Sequence, residues 1–337
     1  MDEHEEKPKR VGSTFRQRPR LMVGITAGLI YGLLARMAFG LDFNREMLNT
    51  LTWGFLTFVP LTIGALTVYF SPRPKRGTGE GAFFLPWITC VIFLAIVSIL
   101  ALEAAICIWM ASPFFFLVSG IGGLLMRFVL RALKHKTANY VLTFLMLAPF
   151  VTSPLENQLP RPDMFRVVET QIRIAASPEV VWEQIVRVPE IQPHERRLTF
   201  FQLLGIPQPL MAEMQFEGAG ELRYSIYENG MAFNEEVLVW QPGDTLSFSI
   251  KPDPVIALPM PFNEIDGTFF AMVDGTYRIE PLAGGGVILH LSSTHRLSTS
   301  FNAYGGLWTD FILRDLQQYI LEIIQRRAEA AMLLGGL

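Results

Sequence analysis

The sequence predicts two parts of different fold class: an α-helical membrane region of about five spans, then an α+β domain with an antiparallel sheet and a long C-terminal helix. Three observations predict this division. Half of the 337 residues are hydrophobic and only 18% are charged, whereas a typical soluble domain has about a quarter charged. Residues 1–152 carry 15 Lys/Arg and 8 Asp/Glu, whereas residues 153–337 carry 13 and 23. Long apolar blocks fill the first part, and short alternating segments fill the second.

The composition also excludes several classes of protein. Two cysteines cannot build a disulfide scaffold, and a chain this hydrophobic is neither disordered nor collagen-like. The second part contains a single lysine, Lys251, and is strongly acidic. Because nucleic-acid binding depends on basic side chains at phosphates, no nucleic-acid partner is expected.

Four apolar stretches account for the five expected spans. Residues 83–130 form a stretch of 48 residues, which would be about 72 Å long as one helix against a hydrocarbon core of about 30 Å. This stretch is therefore expected to cross twice, with a turn near Ala111-Ser112-Pro113. The last span is the shortest, at 17 residues. The expected spans are residues 21–40, 51–70, 84–109, 113–130 and 137–153.

The basic residues alternate between successive loops. Their number runs high, low, high, zero and high from the tail at residues 1–20 through the four loops. The positive-inside rule then places this tail in the cytoplasm and the C-terminal domain outside. The sequence thus predicts a multi-pass protein of the cell (inner) membrane, with the lipid bilayer as a partner. If residues 137–153 do not span the membrane, the C-terminal domain lies on the cytoplasmic side instead.

Glu103 is the acidic residue within the third apolar stretch. An intramembrane carboxylate is a candidate proton or ion site. The favoured interpretation is that Glu103 lies near a helix end and reaches the interface. Cys90 and Cys107 are expected to be unreactive, and the small residues at 120–123 suit close helix packing.

From residue 165 the pattern is that of a strand, two helices, several antiparallel strands and one long helix. Residues 165–174 alternate as a strand does, and Ser177-Pro178-Glu179 is typical of a helix start. Asn229-Gly230 and Pro242-Gly243 are turn sequences. A linker at residues 154–163 precedes the domain at 164–337. The other expected elements are strands at 220–227, 231–240, 245–251, 268–280 and 287–298, a short helix at 189–196 and an amphipathic helix at 304–331.

These elements resemble the SRPBCC or START-like superfamily, often described as polyketide cyclase/dehydrase and lipid transport domains. The resemblance rests on the sequence ASPEVVW at 176–182, on Glu235 in the strand before WQPG at 240–243, and on the closing helix. It covers about residues 165–329 and none of the membrane region. It implies a helix-grip fold, in which a curved antiparallel sheet surrounds the C-terminal helix and encloses an apolar cavity. The fold does not define an activity.

Strand alternation selects the polar residues that would face such a cavity. Ser293 and His295 continue the apolar face of residues 287–298, whereas His290 faces away. Glu235 shares the apolar face of its own strand. A buried Glu and His can act as acid and base, form a polar pair, or orient a ligand headgroup. The expected cavity residues are Trp182, Phe233, Glu235, Val237, Leu291, Ser293, His295, Tyr304 and Trp308, with Glu235 and His295 as the catalytic candidates.

Two uncharged, proline-containing loops are expected at residues 201–211 and 254–262. Loops usually run over the surface and are polar, so apolar loops indicate either a cavity mouth that touches the bilayer or plugs at the ends of the core. The short linker favours the mouth, because ten extended residues reach at most about 35 Å. The residues expected at this mouth are Leu203, Leu204, Ile206, Leu210, Ile256, Leu258, Met260 and Phe262.

The sequence therefore predicts membrane-anchored binding or transfer of a lipid or other hydrophobic small molecule. One alternative is a cyclase- or dehydratase-type enzyme acting on a hydrophobic substrate through Glu235 and His295. Another is a sensory or assembly protein whose domain is not catalytic. The five histidines are scattered, so neither a metal nor a cofactor is expected. The ligand, the oligomeric state and any protein partner are not specified by the sequence.

Overall fold

The computed structural model describes residues 18–40, 52–72, 78–103, 105–133, 135–255 and 267–335. The chain divides into two compact units, with the boundary between Pro160 and Arg161. The first unit is helical, and the second contains the sheet.

Within the described ranges, five helices of the first unit are long and apolar enough to cross a membrane. The last of them has 23 residues, so it has the length that a span requires. The helices are α1 (Arg18–Phe39), α2 (Trp53–Phe70), α3 (Gly79–Ile99), α4 (Ala105–Ala132) and α5 (His135–Asn157).

The break in the long apolar stretch differs from the expected one. It lies between Ile99 and Ala105, and Pro113 lies inside α4 instead of at a turn. Proline removes the N–H that would bond to the carbonyl four residues earlier, that of Trp109. The Ser112 hydroxyl donates to this carbonyl at 3.1 Å, so the helix continues. The helices at 79–99 and 105–132 thus replace the predicted boundaries at 84–109 and 113–130.

Glu103 lies between α3 and α4 and pairs with an arginine at the end of α1. Nε of Arg36 is 2.9 Å from Oε1 of Glu103, and a second guanidinium nitrogen donates to the Leu102 carbonyl. Both charged residues lie at helix ends. Glu103 therefore lies near a helix end, as the favoured interpretation requires, and pairs with a basic side chain there.

Glycines bring neighbouring helices of the first unit into close contact. A Cβ atom at Gly122 would overlap the carbonyl of Leu61, and one at Gly64 would overlap the carbonyl of Ser119. Gly122 therefore lets α4 approach α2 closely, and Gly120 and Gly123 lie against α3, as the small residues at 120–123 indicated.

Replacing Gly122 by leucine is expected to destabilise this helix pair by about 1–3 kcal/mol, because the side chain has no space. The measurement is the melting temperature of the detergent-solubilised chain. The control is Gly79→Leu, because the nearest atom to a Cβ there is Nη1 of Arg127 at 4.0 Å. Equal melting temperatures for the two variants would contradict the close approach of α2 and α4.

The second unit is an antiparallel sheet packed on one long helix. Its strands follow the order β1-β8-β7-β5-β4-β3-β2, and the short β6 pairs with β4. The strands are β1 (Met164–Ile174), β2 (Pro209–Met214), β3 (Leu222–Tyr227), β4 (Ala232–Gln241), β5 (Thr245–Ser249), β6 (Lys251–Pro252), β7 (Phe270–Pro281) and β8 (Val287–Leu297). The helices are α6 (Pro178–Val186), α7 (Phe200–Leu203) and α8 (Asn302–Gly335).

Two elements of this unit were missed in the sequence. Both α7 and β2 overlap the apolar loop expected at residues 201–211. Pro209 opens β2, which is an edge strand, and a proline is tolerated there because no interior hydrogen bond is lost. The short helix expected at 189–196 is instead a single 3₁₀ turn, Pro193–Glu195.

The long helix α8 packs on the sheet through an apolar cluster and one buried amide. Gln317 is 2% exposed. Its amide nitrogen donates to the Val168 carbonyl and to the Ser293 hydroxyl, both at 3.0 Å, and its oxygen accepts from Thr170 at 2.7 Å. The amide therefore fixes the middle of α8 against β1 and β8. The cluster below it includes Leu246, Ile279, Leu289, Leu321, Ile324 and Ala328.

Candidate ligand-binding site

A cavity of about 100 Å³ lies within the second unit, with walls from the sheet and from α8. A cavity of roughly 150 Å³ can hold benzene, so this space suits a smaller group. Small-molecule sites are usually preformed, apolar and provided with a few polar groups. The apolar part of the wall includes Val188, Ile191, Met211, Phe248, Leu291 and Leu316.

A buried ion pair forms the polar part of the wall. Arg223 of β3 lies opposite Glu235 of β4, and they are 3% and 5% exposed. The guanidinium donates to one carboxylate oxygen of Glu235, and the Ser225 hydroxyl donates to the other. The remaining guanidinium nitrogens donate to the carbonyls of Val186 and Ile185, each at 3.3 Å. All three guanidinium nitrogens and both carboxylate oxygens are therefore engaged.

Two tyrosines stand beside this pair on the wall. Burial raises the pKa of Tyr277 to about 12 and raises the pKa of Tyr227 further. Both phenols therefore remain protonated and can donate a hydrogen bond. Burial opposes the charge of Arg223, but the Glu235 carboxylate outweighs it and holds the arginine pKa above its ordinary value. Arg223 and Glu235 together have no net charge.

The expected cavity residues divide into three groups. The first lies on the wall and comprises Glu235, Leu291 and Ser293. The second is buried without being part of the wall and comprises Trp182, Phe233, Val237 and His295. The third is half-buried, also off the wall, and comprises Tyr304 and Trp308. The reason is the position of α8: its middle turns, with Leu316 and Ile320, face the cavity instead of its first turns.

His295 is fully buried on β8 and bonds to α8, not to Glu235. Its Nε2 is 2.9 Å from the hydroxyl of Thr309, and that hydroxyl donates to the Gly306 carbonyl. Nε2 is therefore assigned as the donor. Nδ1 has no hydrogen-bond partner in the part of the chain that the structure describes. Because Glu235 is bound to Arg223 and Ser225, the two catalytic candidates do not form an acid–base pair.

His295 provides a test through the pH dependence of stability. Burial lowers its pKa below the ordinary value of 6.5; Asp310 opposes this shift and Arg166 adds to it. The unfolded chain thus binds a proton at higher pH than the folded chain, so stability is expected to fall as the pH drops below about 6.5. Thermal unfolding between about pH 7.5 and 5 measures this slope. His295→Phe should reduce the slope, whereas the exposed control His194→Ala should keep it, and an unchanged slope in His295→Phe would contradict this assignment.

His290 lies on the opposite face of β8 from His295 and is also buried, at 8% exposure. Its two ring nitrogens lie 2.9 Å from Oε1 of Glu169 and 3.1 Å from Oε2 of Glu280. These carboxylates cover the ring, which explains how a histidine facing away from the cavity becomes buried. Among the described residues, no three His, Cys, Asp or Glu side chains are placed to hold a metal ion.

The residues expected at the cavity mouth lie in different environments. Leu204 is 1% exposed and packs with Phe201 in an apolar cluster, so it is part of the core and not of a mouth. Leu203 is 57% exposed, whereas Ile206 and Leu210 are half-buried. The residues of the second loop lie outside the described part of the chain and comprise Ile256, Leu258, Met260 and Phe262.

Arg223 is the site residue that the sequence analysis missed. Its strand is inverted: Arg223 and Ser225 face inward, whereas Leu222 and Tyr224 are 41% and 38% exposed. Apolar residues usually mark the inner face, so alternation alone assigns the wrong face here. The signal in the sequence that could have identified Arg223 was its place on the strand next to that of Glu235, across one hairpin turn.

No family model and no curated protein matches the chain. Solved structures align with about half of it. Protein MLL2253 from Mesorhizobium loti is 19% identical, covering 48% of this chain and 96% of its own, with a TM-score of 0.28. Norcoclaurine synthase from Thalictrum flavum is 10% identical (50% and 95% covered, TM-score 0.32). Aha1 from Colwellia psychrerythraea, solved as a dimer, is 11% identical (49% and 96%, TM-score 0.27). Likeness at this level does not transfer an activity.

Proposed function

We propose that the C-terminal domain binds a hydrophobic small molecule with an uncharged polar group, and that the five helices anchor it in a cell membrane. The observation that carries the proposal is the Arg223–Glu235 pair on the wall of an otherwise apolar cavity. A buried ion pair adds little stability, because desolvation offsets the attraction between the charges. Its position on the wall of the cavity therefore supports a role in ligand recognition.

The charge balance of the wall favours an uncharged polar group. Arg223 and Glu235 neutralise each other, and their polar atoms are already engaged. A ligand carboxylate or amine would bring an unpaired charge into a buried site, at a cost of several kcal/mol. A hydroxyl or carbonyl group can instead bond to the phenols of Tyr227 and Tyr277 without adding charge.

The volume of the cavity restricts how a larger ligand can bind. The cavity of about 100 Å³ accommodates the polar end of an amphiphile or a few chain carbons. A lipid would therefore place most of its chain outside this space, or widen the cavity on binding as some partners do.

The SRPBCC or START-like resemblance supports this proposal, because it implies an apolar cavity for a hydrophobic ligand. In this proposal the N-terminal tail is cytoplasmic and the domain lies outside the cell (inner) membrane, as the basic residues of the loops indicate. The enzymatic alternative has less support, because Glu235 and His295 each bond to other residues.

The test is mass spectrometry of the domain after release from the membrane region. A protease site inserted between Gln158 and Leu159 allows cleavage of the purified chain, which leaves lipids around the helices behind. We expect one uncharged amphiphile per domain in the non-covalent spectrum. A domain that is empty, and stays empty after exposure to native membrane vesicles, would contradict the proposal.

A further inference from the structure

Exposed apolar side chains gather where α7 lies against the first turns of α8. Leu203, Leu307 and Phe311 are 57%, 67% and 51% exposed. The Phe311 ring lies 5.0 Å from the ring of Phe200. Leu307 precedes Phe311 by one helical turn, and Leu203 follows Phe200 by three residues. Phe200, Leu203, Leu307 and Phe311 form the α7–α8 patch. A group of exposed apolar side chains is a candidate interaction surface.

The α7–α8 patch is the outer side of an apolar layer that reaches the cavity wall. Phe201 and Leu204 of the same short segment pack beneath it on Tyr319 of α8. On α8, Leu316 and Ile320 belong to this apolar layer and also line the cavity. A surface that covers the patch therefore lies next to an apolar layer whose side chains also line the cavity.

The chain that enters the domain from α5 is fixed at the same end of α8. Asn302, the first residue of α8, donates to the Pro162 carbonyl at 2.7 Å. Asp163 accepts from Arg296 at 3.2 Å and from the Ser298 hydroxyl. The entering segment is thus held against the start of the helix that carries the patch.

A second contact fixes β1 to the patch-bearing turns of α8. Arg166 donates two hydrogen bonds to Asp310, at 2.9 and 2.5 Å, and Asp310 directly precedes Phe311. Only four residues, 158–161, lie between Asn157, the end of α5, and Pro162. The five Cα–Cα steps from Asn157 to Pro162 extend at most about 18 Å, so the chain itself limits how far Pro162 can lie from the end of α5.

The charges of the domain indicate how it would contact lipid. Residues 153–337 contain a single lysine and an excess of acidic residues, so anionic headgroups offer no attraction. Arg166 and Asp310, beside the patch, neutralise each other. Contact with a bilayer would therefore depend on burial of apolar side chains at the boundary of headgroups and acyl chains.

We propose that the α7–α8 patch contacts the bilayer surface and inserts Leu203, Leu307 and Phe311 at its boundary. This contact directs exchange of the ligand to the bilayer through the layer beneath the patch. The inference rests on the membrane anchoring in the proposed function, but it does not depend on the cavity being occupied.

The first experiment uses the full chain in phosphatidylcholine nanodiscs, with Cys90 and Cys107 replaced by alanine. A fluorophore on Leu307→Cys reports quenching by nitroxide-labelled lipid and by aqueous iodide. The matched control is a fluorophore on Leu238→Cys, since Leu238 is 51% exposed on β4. We expect severalfold stronger quenching by the lipid nitroxide at 307 than at 238, and the reverse order for iodide. Added salt or anionic lipid should leave this order unchanged.

Two results would overturn the inference. Strong iodide quenching at 307 without lipid quenching would leave the patch in water. Protection at 307 from both quenchers would indicate that protein, either a second copy or another partner, covers the patch.

An independent variant is Phe311→Asp, which should slow ligand transfer to acceptor vesicles by roughly tenfold, while the released domain binds the ligand as before. A domain that binds no ligand contradicts the cavity proposal alone, because the quenching experiment needs none.

Discussion

Replacing Glu235 by alanine is expected to destabilise the C-terminal domain by about 3–5 kcal/mol, because Arg223 stays buried without its counter-charge. Ser225 loses its acceptor in the same variant. Pulse proteolysis of the detergent-solubilised chain in urea measures this change, by following survival of the C-terminal half. The control is Glu236→Ala, the next residue of β4 and an exposed one, for which a change within about 0.5 kcal/mol is expected.

A double variant separates stability from recognition. Arg223→Met combined with Glu235→Leu is expected to regain most of the lost stability, because well-packed apolar residues often replace a buried pair at little cost. The ligand should nevertheless bind far more weakly, because the polar wall is gone. Unchanged ligand affinity in this stable double variant would show that the pair serves the fold and not the ligand.

Ala212→Phe is expected to abolish ligand binding. Ala212 of β2 is 6% exposed and lines the cavity, and an added aromatic ring takes up a space smaller than benzene needs. Overpacking of this kind typically costs about 1–3 kcal/mol, so the domain should still fold. The measurement is the amount of ligand retained per released domain.

The matched control for the filled cavity is Ala219→Phe, because Ala219 is exposed in the turn before β3. This variant should retain the ligand. If both variants retain it equally, the ligand binds elsewhere in the chain and the cavity is only a packing defect of the core.

Local patterns were sufficient to predict most of the fold. Apolar length indicated the five long helices, and alternation indicated β1 and β8 to within one residue at each end. The error at Pro113 arose because a proline breaks most helices in water, whereas the Ser112 hydroxyl here takes over the freed carbonyl. The edge strand β2 was missed because Pro207 before it and Pro209 at its start are typical of a loop.

The candidate site was less predictable, because it depends on contacts between distant segments. Alternation placed Glu235 inward, but its partner Arg223 lies on a strand whose polar face is the buried one. His295 is likewise inward, yet its environment is decided by Thr309, and hence by how α8 is rotated and shifted on the sheet. No local pattern in one strand or one helix contains that information.

The central claim, an uncharged amphiphile held in the cavity beside Arg223 and Glu235, is tested most directly by photocrosslinking. The full chain in nanodiscs would be exposed to a long-chain alcohol carrying a diazirine, and to the matching fatty acid. The account predicts alcohol adducts on peptides that contain Met211, Leu316 or Ile320, fewer adducts with the acid, and none there in Ala212→Phe. Adducts that are confined to α1–α5, and that are the same in the unmodified chain and in Ala212→Phe, would contradict this claim.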